Sequence, residues 1–200
     1  MGLYDMEYMP GPLRQVDSSG LKWMLRKARS AKLFGFDEAR YPKPFGNASI
    51  RLEGSGKIRF LISGKRGGRF PIEDDYLCLV EYDTAREVFA SQGPIEPATE
   101  YLLHGTVYRL SPARAVLHSH SPEIWSAAGR LGMPCTGERI ANKTPEMVKS
   151  IERLFQETDV RERGIFALPG HRDGVVAFGE SPEKAWDITS SYLEKAKGKA

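Results

Sequence analysis

Residues 114–122 join a strand pattern directly to a helix pattern, and this restricts what the chain can fold into. The apolar run 115–117 is typical of a short buried strand. Residues 121–123 read Ser-Pro-Glu, which places a serine cap and a proline at the start of a helix. A buried strand that leads straight into a helix indicates an α/β fold. In such folds, ligands often bind where a strand ends and a helix begins.

His118 and His120 stand at the end of this predicted strand. Side chains alternate between the two faces of a strand, so residues two apart point to the same side. The two imidazoles are therefore expected side by side. The chain has four histidines, and these are two of them. Such a pair alone is more often part of a turn than a metal site, so a metal site needs a third ligand from elsewhere.

His171 and His104 are the remaining histidines. His171 lies in a predicted loop between strands at 165–168 and 174–178, and loops carried by a rigid sheet often hold functional residues. A third histidine would complete the three protein ligands of a catalytic zinc, with the fourth position open. His104 falls inside a predicted helix, four residues after Glu100, and a partly buried, hydrogen-bonded helix residue is favoured over a metal ligand.

Glu100 lies near the start of a predicted helix over 97–110. Helix capping alone explains an acidic residue there, and the functional alternative is an acid/base next to a metal. The segments 46–49 and 63–68 are glycine-containing polar loops. Such loops can offer backbone N–H groups to a phosphate or carboxylate, although each is more often a simple turn.

The rest of the chain predicts a single domain, 1–200, with an irregular N-terminal arm over 1–17. Short neighbouring strands favour a mostly antiparallel sheet, and amphipathic segments between them favour helices on both of its faces. The predicted fold is therefore three-layer α/β/α. Strands are expected at 48–52, 58–62, 76–82, 114–117, 165–168 and 174–178, and helices at 18–33, 97–110, 122–131, 144–155 and 181–197.

Composition narrows the function classes. Lys and Arg number 29 against 26 Asp and Glu, a net charge of +3, and the basic cluster at Lys65, Arg66 and Arg69 has no aromatic ladder beside it. We therefore expect no nucleic-acid partner. No run approaches the roughly 18 apolar residues of a membrane span, and the first residues lack the apolar segment of a signal peptide. Cys78 and Cys135 lie outside any Cys-x-x-Cys pair, which suits a reducing compartment, so a cytoplasmic location is expected.

Five motifs in a fixed order resemble the class II aldolase/adducin family, which includes L-fuculose-phosphate aldolase, over roughly 20–196. Each motif alone is modest, and the order makes the match strong. They are Gly46-Asn47-Ala48-Ser49-Ile50-Arg51, Ile62-Ser63-Gly64, Ala98-Thr99-Glu100-Tyr101-Leu102-Leu103-His104, Ala115-Val116-Leu117-His118-Ser119-His120-Ser121-Pro122 and Gly170-His171-Arg172-Asp173-Gly174-Val175-Val176-Ala177-Phe178-Gly179.

The resemblance implies a site. A divalent metal, usually Zn²⁺ and alternatively Mn²⁺ or Co²⁺, would be held by His118, His120 and His171, with Glu100 as acid/base. It also implies a homotetramer with active sites near subunit interfaces. Contacts to the substrate phosphate would come from four residues, Asn47, Ser63, Gly64 and Thr99.

The activity implied by the resemblance is that of a metal-dependent lyase. It would cleave a small sugar phosphate or related hydroxy-ketone by a retro-aldol reaction through a metal-stabilised enediolate. Alternatives on the same site are epimerisation, dehydration and decarboxylation, and a further one is a non-catalytic, adducin-like interaction module. Ala98 departs from the family pattern because it replaces a hydroxyl residue, so one phosphate contact is lost. The helix N-terminus still offers backbone N–H groups, and Lys65, Arg66 and Arg69 are candidates to compensate.

Overall fold

The structure, a computed structural model, describes residues 4–13, 16–41, 43–54, 56–65, 71–141 and 143–198. The sequence also predicts a hairpin turn at Gly54-Ser55-Gly56, and Ser55 lies outside these ranges, as do Arg66 and Arg69 of the basic cluster. The loop predicted over 63–68 is therefore described only as far as Lys65.

An eight-stranded sheet forms the centre of the protein. Its strand order is β1-β5-β4-β3-β2-β6-β8-β7. Every neighbouring pair is antiparallel except β1 with β5, which confirms the mostly antiparallel sheet. The strands are β1 (Met6–Pro10), β2 (Asn47–Arg51), β3 (Ile58–Ser63), β4 (Leu77–Asp83), β5 (Val88–Gly93), β6 (Ala115–His120), β7 (Ile165–Leu168) and β8 (Gly174–Gly179).

Helices cover both faces of this sheet, as the three-layer prediction requires. They are α1 (Ser19–Ser30), α2 (Tyr101–Leu110), α3 (Pro122–Ser126), α4 (Pro145–Glu157), α5 (Val160–Arg163) and α6 (Pro182–Ala196). Helices α2 and α4 pack together over one face, and α1, α3 and α6 share the other. In the described part of the chain, no helix is both long and apolar enough to cross a lipid bilayer.

Strand β6 lies near the middle of the sheet, and all six of its residues are buried. Val116 packs in the core beneath α2 and α4, whereas Ala115 and Leu117 pack in the core on the opposite side. Alternation along the strand then places His118 and His120 on the face of Val116. The sheet therefore directs both imidazoles toward the side covered by α2.

The expected irregular arm over 1–17 is wrong for Met6–Pro10, which forms strand β1. This strand runs parallel to β5, with Met6 opposite Phe89. Met6 and Tyr8 pack against the core with the exposed Glu7 between them, but this alternation is too short to predict a strand, and the strand lies at the edge of the sheet. Pro10 ends the strand, where the missing N–H is tolerated.

Three predicted helices are shorter than expected, and a second strand besides β1 was not predicted. Helix α1 ends at Ser30 rather than at 33. Helix α2 begins at Tyr101, because the N–H of Ala98 donates to the carbonyl of Ser63 and keeps that segment out of the helix. Helix α3 ends at Ser126, and turns follow it. Strand β5 (Val88–Gly93) alternates between half-buried and buried positions and carries polar residues, so its apolar pattern is weak.

Candidate active site

Three histidines gather at one end of β6. His118 and His120 come from the strand itself, and His171 comes from the loop between β7 and β8. That loop reaches them because β8 pairs with β6 and places Gly174 opposite His120. One ring nitrogen from each histidine lies within 4.8 Å of the others. His171 Nε2 lies 2.9 Å from His120 Nε2.

The donor atoms of this cluster fit a divalent cation. Both ring nitrogens of His118 and Nδ1 of His120 are buried and have no hydrogen-bond partner among the described residues. An unpaired buried polar atom is costly, and a bound metal ion removes that cost. Burial lowers the pKa of His118 well below its usual value, and the neighbouring imidazoles lower it further. Burial likewise lowers the pKa of His120 to about 3 and lowers that of His171, so all three rings are neutral at pH 7, the form that ligates metal.

The loop that carries His171 is anchored by a buried hydrogen bond. The hydroxyl of Tyr41 donates to Oδ2 of Asp173 over 2.7 Å. Burial and this hydrogen bond raise the pKa of Tyr41 to about 12, so the hydroxyl stays protonated and remains a donor. The ring of Tyr41 also packs edge-on against His120, with 5.1 Å between centroids. Tyr41 therefore contacts both the strand and the loop that supply the histidines.

Asn47 faces the same side of the sheet as His118, because the two residues are paired across β2 and β6. The chain reaches this position through Gly46, whose φ is +74°. A Cβ on Gly46 would lie 3.1 Å from the carbonyl oxygen of His118 and 3.2 Å from that of Leu33. A glycine is needed there for both its conformation and its close approach to β6.

Glu100 stands at the N-cap position of α2, but its side chain makes no capping hydrogen bond. Its Oε2 instead accepts from Asn47 Nδ2 at 2.9 Å and from Thr99 Oγ1 at 3.1 Å. Both donors bind to Oε2, so Oε1 takes part in neither of these two hydrogen bonds. The carboxylate lines the same cavity as the three histidines. The structure thus favours a cavity-facing role for Glu100 over simple helix capping.

The cavity has a volume of about 490 Å³, large enough for a small metabolite. Tyr41 and Phe45 form an aromatic part of its wall. Lys43, Lys65 and Lys143 contribute to its lining, and Lys65 is tied to Glu96 by a 2.5 Å ion pair. A cluster of three histidines, a carboxylate and three cations therefore share one cavity.

The four residues predicted to contact a phosphate are placed differently from one another. Asn47, Gly64 and Thr99 line the cavity. Ser63 is buried, and its Oγ accepts from the N–H of Ala48 at 3.3 Å. The N–H of Gly64 donates to the carbonyl of Tyr76 at 2.8 Å. Of the four predicted phosphate contacts, Asn47 and Thr99 are therefore the ones whose side chains face the cavity.

His104 lies on α2 and its ring is hydrogen-bonded, as predicted, but it is fully buried rather than partly buried, and its partners are Asn47 and Ser49 of β2. The prediction did not anticipate that its partner would be Asn47. Sequence reasoning also missed Tyr41, Phe45 and Lys143 as cavity residues. Nothing in their local pattern marks them, because each lies in irregular chain that only the tertiary fold brings to the histidines.

The sequence profile of the family described as Class II Aldolase and Adducin N-terminal domain matches residues 34–197. The chain belongs to this family. Class II aldolases are typically dependent on a divalent metal, and the cluster of three histidines agrees with that property.

Solved structures share the fold at low sequence identity. L-fuculose-1-phosphate aldolase from Thermus thermophilus is 20% identical, with 90% of each chain covered and a TM-score of 0.64. A sugar-phosphate aldolase from Thermotoga maritima is 15% identical, with 89% of this chain and 92% of that chain covered and a TM-score of 0.62. The N-terminal class II aldolase domain of a conserved protein from Thermoplasma acidophilum is 15% identical, with 94% and 95% covered and a TM-score of 0.58. At these identities the similarity establishes the fold.

Proposed function

We propose that this protein is a zinc-dependent aldolase that cleaves a small sugar phosphate or a related hydroxy-ketone by a retro-aldol reaction. One observation carries the proposal: three neutral histidines, with their ring nitrogens within 4.8 Å of one another and with the nitrogens of His118 and Nδ1 of His120 buried and unpaired among the described residues, share a cavity with the carboxylate of Glu100. A non-catalytic interaction module has no need for buried imidazoles without partners, because each one costs folding stability. The proposal includes Mn²⁺ and Co²⁺ as alternatives to Zn²⁺ for the native metal ion.

His118, His120 and His171 would hold the metal, leaving a further coordination position for substrate. When bound, the cation supplies a Lewis acid that polarises a carbonyl and stabilises the negative charge that develops as a carbon–carbon bond breaks. Glu100 moves the proton. In the cleavage direction the ionised carboxylate would take up the proton that the substrate hydroxyl loses as the carbon–carbon bond breaks and the new carbonyl forms, and would deliver it to the carbon that retains the electron pair; in the synthetic direction the proton would move the opposite way.

The anionic group of the substrate would be bound by Asn47 and Thr99 and by the lysines of the cavity. Lys43 and Lys143 are exposed, so both can reorient toward a ligand. They would compensate for Ala98, which has no hydroxyl to donate. The N-terminus of α2 lies at the same wall, and its positive end favours an anion there.

A substrate screen tests the reaction class. Purified zinc-loaded protein is incubated with ketose and aldose phosphates, and separately with dihydroxyacetone phosphate plus aldehydes, and products are identified by mass and chromatography. We expect cleavage in the first set and carbon–carbon bond formation in the second. An isomer of unchanged mass would indicate an epimerase, loss of water a dehydratase, and loss of carbon dioxide a decarboxylase. Each of these products would overturn the aldolase assignment while keeping the metal site.

Glu100→Gln tests the acid/base role. The amide is nearly isosteric with the carboxylate and should leave the histidines and their metal in place, but it cannot exchange the proton. We expect kcat to fall by about 10²-fold or more with unchanged metal content. Glu157→Gln, an exposed change at the end of α4, is the matched control and should leave kcat unaffected. Full activity of Glu100→Gln would remove Glu100 from the mechanism.

We further propose a cytoplasmic homotetramer, following the family resemblance and the cysteine usage. The chain has a mass of 22.4 kDa, so light scattering should give about 90 kDa, four times that value. A monomeric mass in active, metal-loaded protein would contradict the tetramer.

A further inference from the structure

A chain of buried hydrogen bonds runs from Glu100 into the core. Asn47 Nδ2 donates to Glu100 Oε2 over 2.9 Å, and Asn47 Oδ1 lies 2.6 Å from His104 Nε2. His104 Nδ1 lies 2.7 Å from Ser49 Oγ, which lies 2.7 Å from the hydroxyl of Tyr108. Each of the four residues beyond the carboxylate is at most 4% exposed.

The direction of each hydrogen bond in this chain follows from the chemistry of its members. An ionised Glu100 only accepts, so the amide NH₂ of Asn47 must face it and the amide oxygen must face His104. Burial lowers the pKa of His104 to about 3, so the ring is neutral and carries one proton. That proton must sit on Nε2 to reach the amide oxygen. Nδ1 then accepts from Ser49, which in turn accepts from Tyr108.

His104 and Glu100 lie four residues apart on α2, so both face Asn47 on the neighbouring strand. Asn47 and Glu100 line the cavity, whereas the described cavity lining does not include His104, Ser49 or Tyr108. The side-chain hydrogen bonds that join these three residues to the cavity therefore run through Asn47.

We propose that His104 is a positioning residue: its Nε2–H fixes the amide of Asn47 in the orientation that holds Glu100 Oε2, and Ser49 and Tyr108 fix the tautomer of His104. Without the imidazole donor, the amide of Asn47 can turn over and present its oxygen to the carboxylate, which repels it. The inference rests on the proposed acid/base role of Glu100. Small misplacements of such a group are costly to the rate.

Two variants of His104 separate positioning from simple core packing. A glutamine amide can place an N–H near the position of Nε2, which keeps the donor to Asn47. An asparagine amide is shorter and can place its oxygen near Nδ1, which keeps the bond to Ser49 but loses the bond to Asn47. Both changes remove the ring and leave a cavity, so their structural costs are similar.

The experiment compares metal content, melting temperature, kcat and KM for wild type, His104→Gln and His104→Asn, using the substrate that the screen identifies. We expect equal metal content, similar melting temperatures and KM values within about threefold. We expect kcat within about fivefold of wild type for His104→Gln and reduced by about 30-fold or more for His104→Asn. Equal kcat losses in the two variants, or none in either, would overturn the positioning role.

Ser49→Ala provides a second test if either variant does not fold. It leaves the imidazole in place and removes the donor that fixes its tautomer. We expect kcat to fall by about three- to tenfold at unchanged KM, and an unchanged kcat would contradict the proposal.

A crystal structure of His104→Asn gives a readout that does not depend on turnover. We expect the Asn47 amide to be rotated and the carboxylate of Glu100 displaced from it. An unmoved pair would overturn the inference even in a protein whose reaction proves not to be an aldol cleavage. If wild-type protein instead binds no metal while the Asn47–Glu100 geometry responds as expected, the proposed function fails and the positioning stands.

Discussion

Asp173 ties the loop that carries His171 to Tyr41 and Ser121. It adopts a φ of +61°, its carbonyl accepts from the N–H of Ser121, and its carboxylate accepts from Tyr41. The residue is 7% exposed, so its charge needs these partners. His171 lies two residues before Asp173 in the same loop, so the contacts of Asp173 also fix the position of His171. A single tyrosine hydroxyl is therefore coupled to the geometry of the proposed metal ligands.

Tyr41→Phe removes that hydroxyl and keeps the ring against His120. Because a buried carboxylate loses a donor, we expect the free energy of unfolding to fall by about 2 kcal/mol, measured by urea denaturation. Zinc affinity, measured by competition with a chromophoric chelator, should fall as well. Tyr8→Phe is a matched control, since its hydroxyl donates to the carbonyl of Gly93, distant from the cavity. Equal zinc affinities in the two variants would show that the hydroxyl of Tyr41 does not influence the metal site.

His104 should also make stability depend on pH. Its pKa is about 3 in the folded protein and near 6.5 when unfolded, so below pH 6.5 the unfolded chain binds a proton that the folded chain excludes. Stability therefore falls as pH falls. Between pH 7 and pH 5 this residue should contribute a loss of about 2 kcal/mol. Urea denaturation of wild type and His104→Gln across this range should show a shallower pH dependence for the variant, and parallel curves would contradict the prediction.

At the scale of elements, the starts of α3, α4 and α6 were well predicted, unlike the start of α2. Helices α3, α4 and α6 each begin with Ser or Thr followed by Pro-Glu, and in each the cap side chain accepts a backbone N–H. The capping chemistry is local, so sequence suffices. Strands β1 and β5 are the opposite case. These two strands are far apart in the sequence and form the parallel pair of the sheet. No local sequence pattern specifies such a pairing.

Loss of a cap should have a similar cost at each of these helices. Ser121→Ala, Thr144→Ala and Ser181→Ala should each lower the free energy of unfolding by about 1 kcal/mol, because an N–H in the first turn loses its acceptor. Ser19→Ala, at an exposed position on α1, should change it by less than about 0.5 kcal/mol. Urea denaturation of the four variants measures the difference. A cost for Ser19→Ala equal to the others would rule out capping as the cause.

At the scale of the whole molecule, the sheet brings together residues that the sequence separates widely. The pair His118 and His120 was predictable from strand alternation alone. His171 follows 51 residues after His120, and its membership in the cluster could be predicted only as a possible third ligand and from the order of the family motifs. The hydrogen bond between Asn47 and His104 was not predictable from the sequence, because it depends on how α2 packs against β2. Local periodicity thus predicts the layers of the fold and those ligands that share one element. Contacts between different elements can be identified only from the folded structure.

Metal binding by the three histidines is the central claim, and equilibrium titration tests it most directly. Purified protein is stripped with a chelator, dialysed and titrated with zinc, with His118→Ala treated in parallel. The account predicts one ion bound per chain and loss of that ion in His118→Ala, because His118 is the fully buried ligand of the three. Wild-type protein that binds no zinc, manganese or cobalt, or an alanine variant that binds as tightly as wild type, would contradict it.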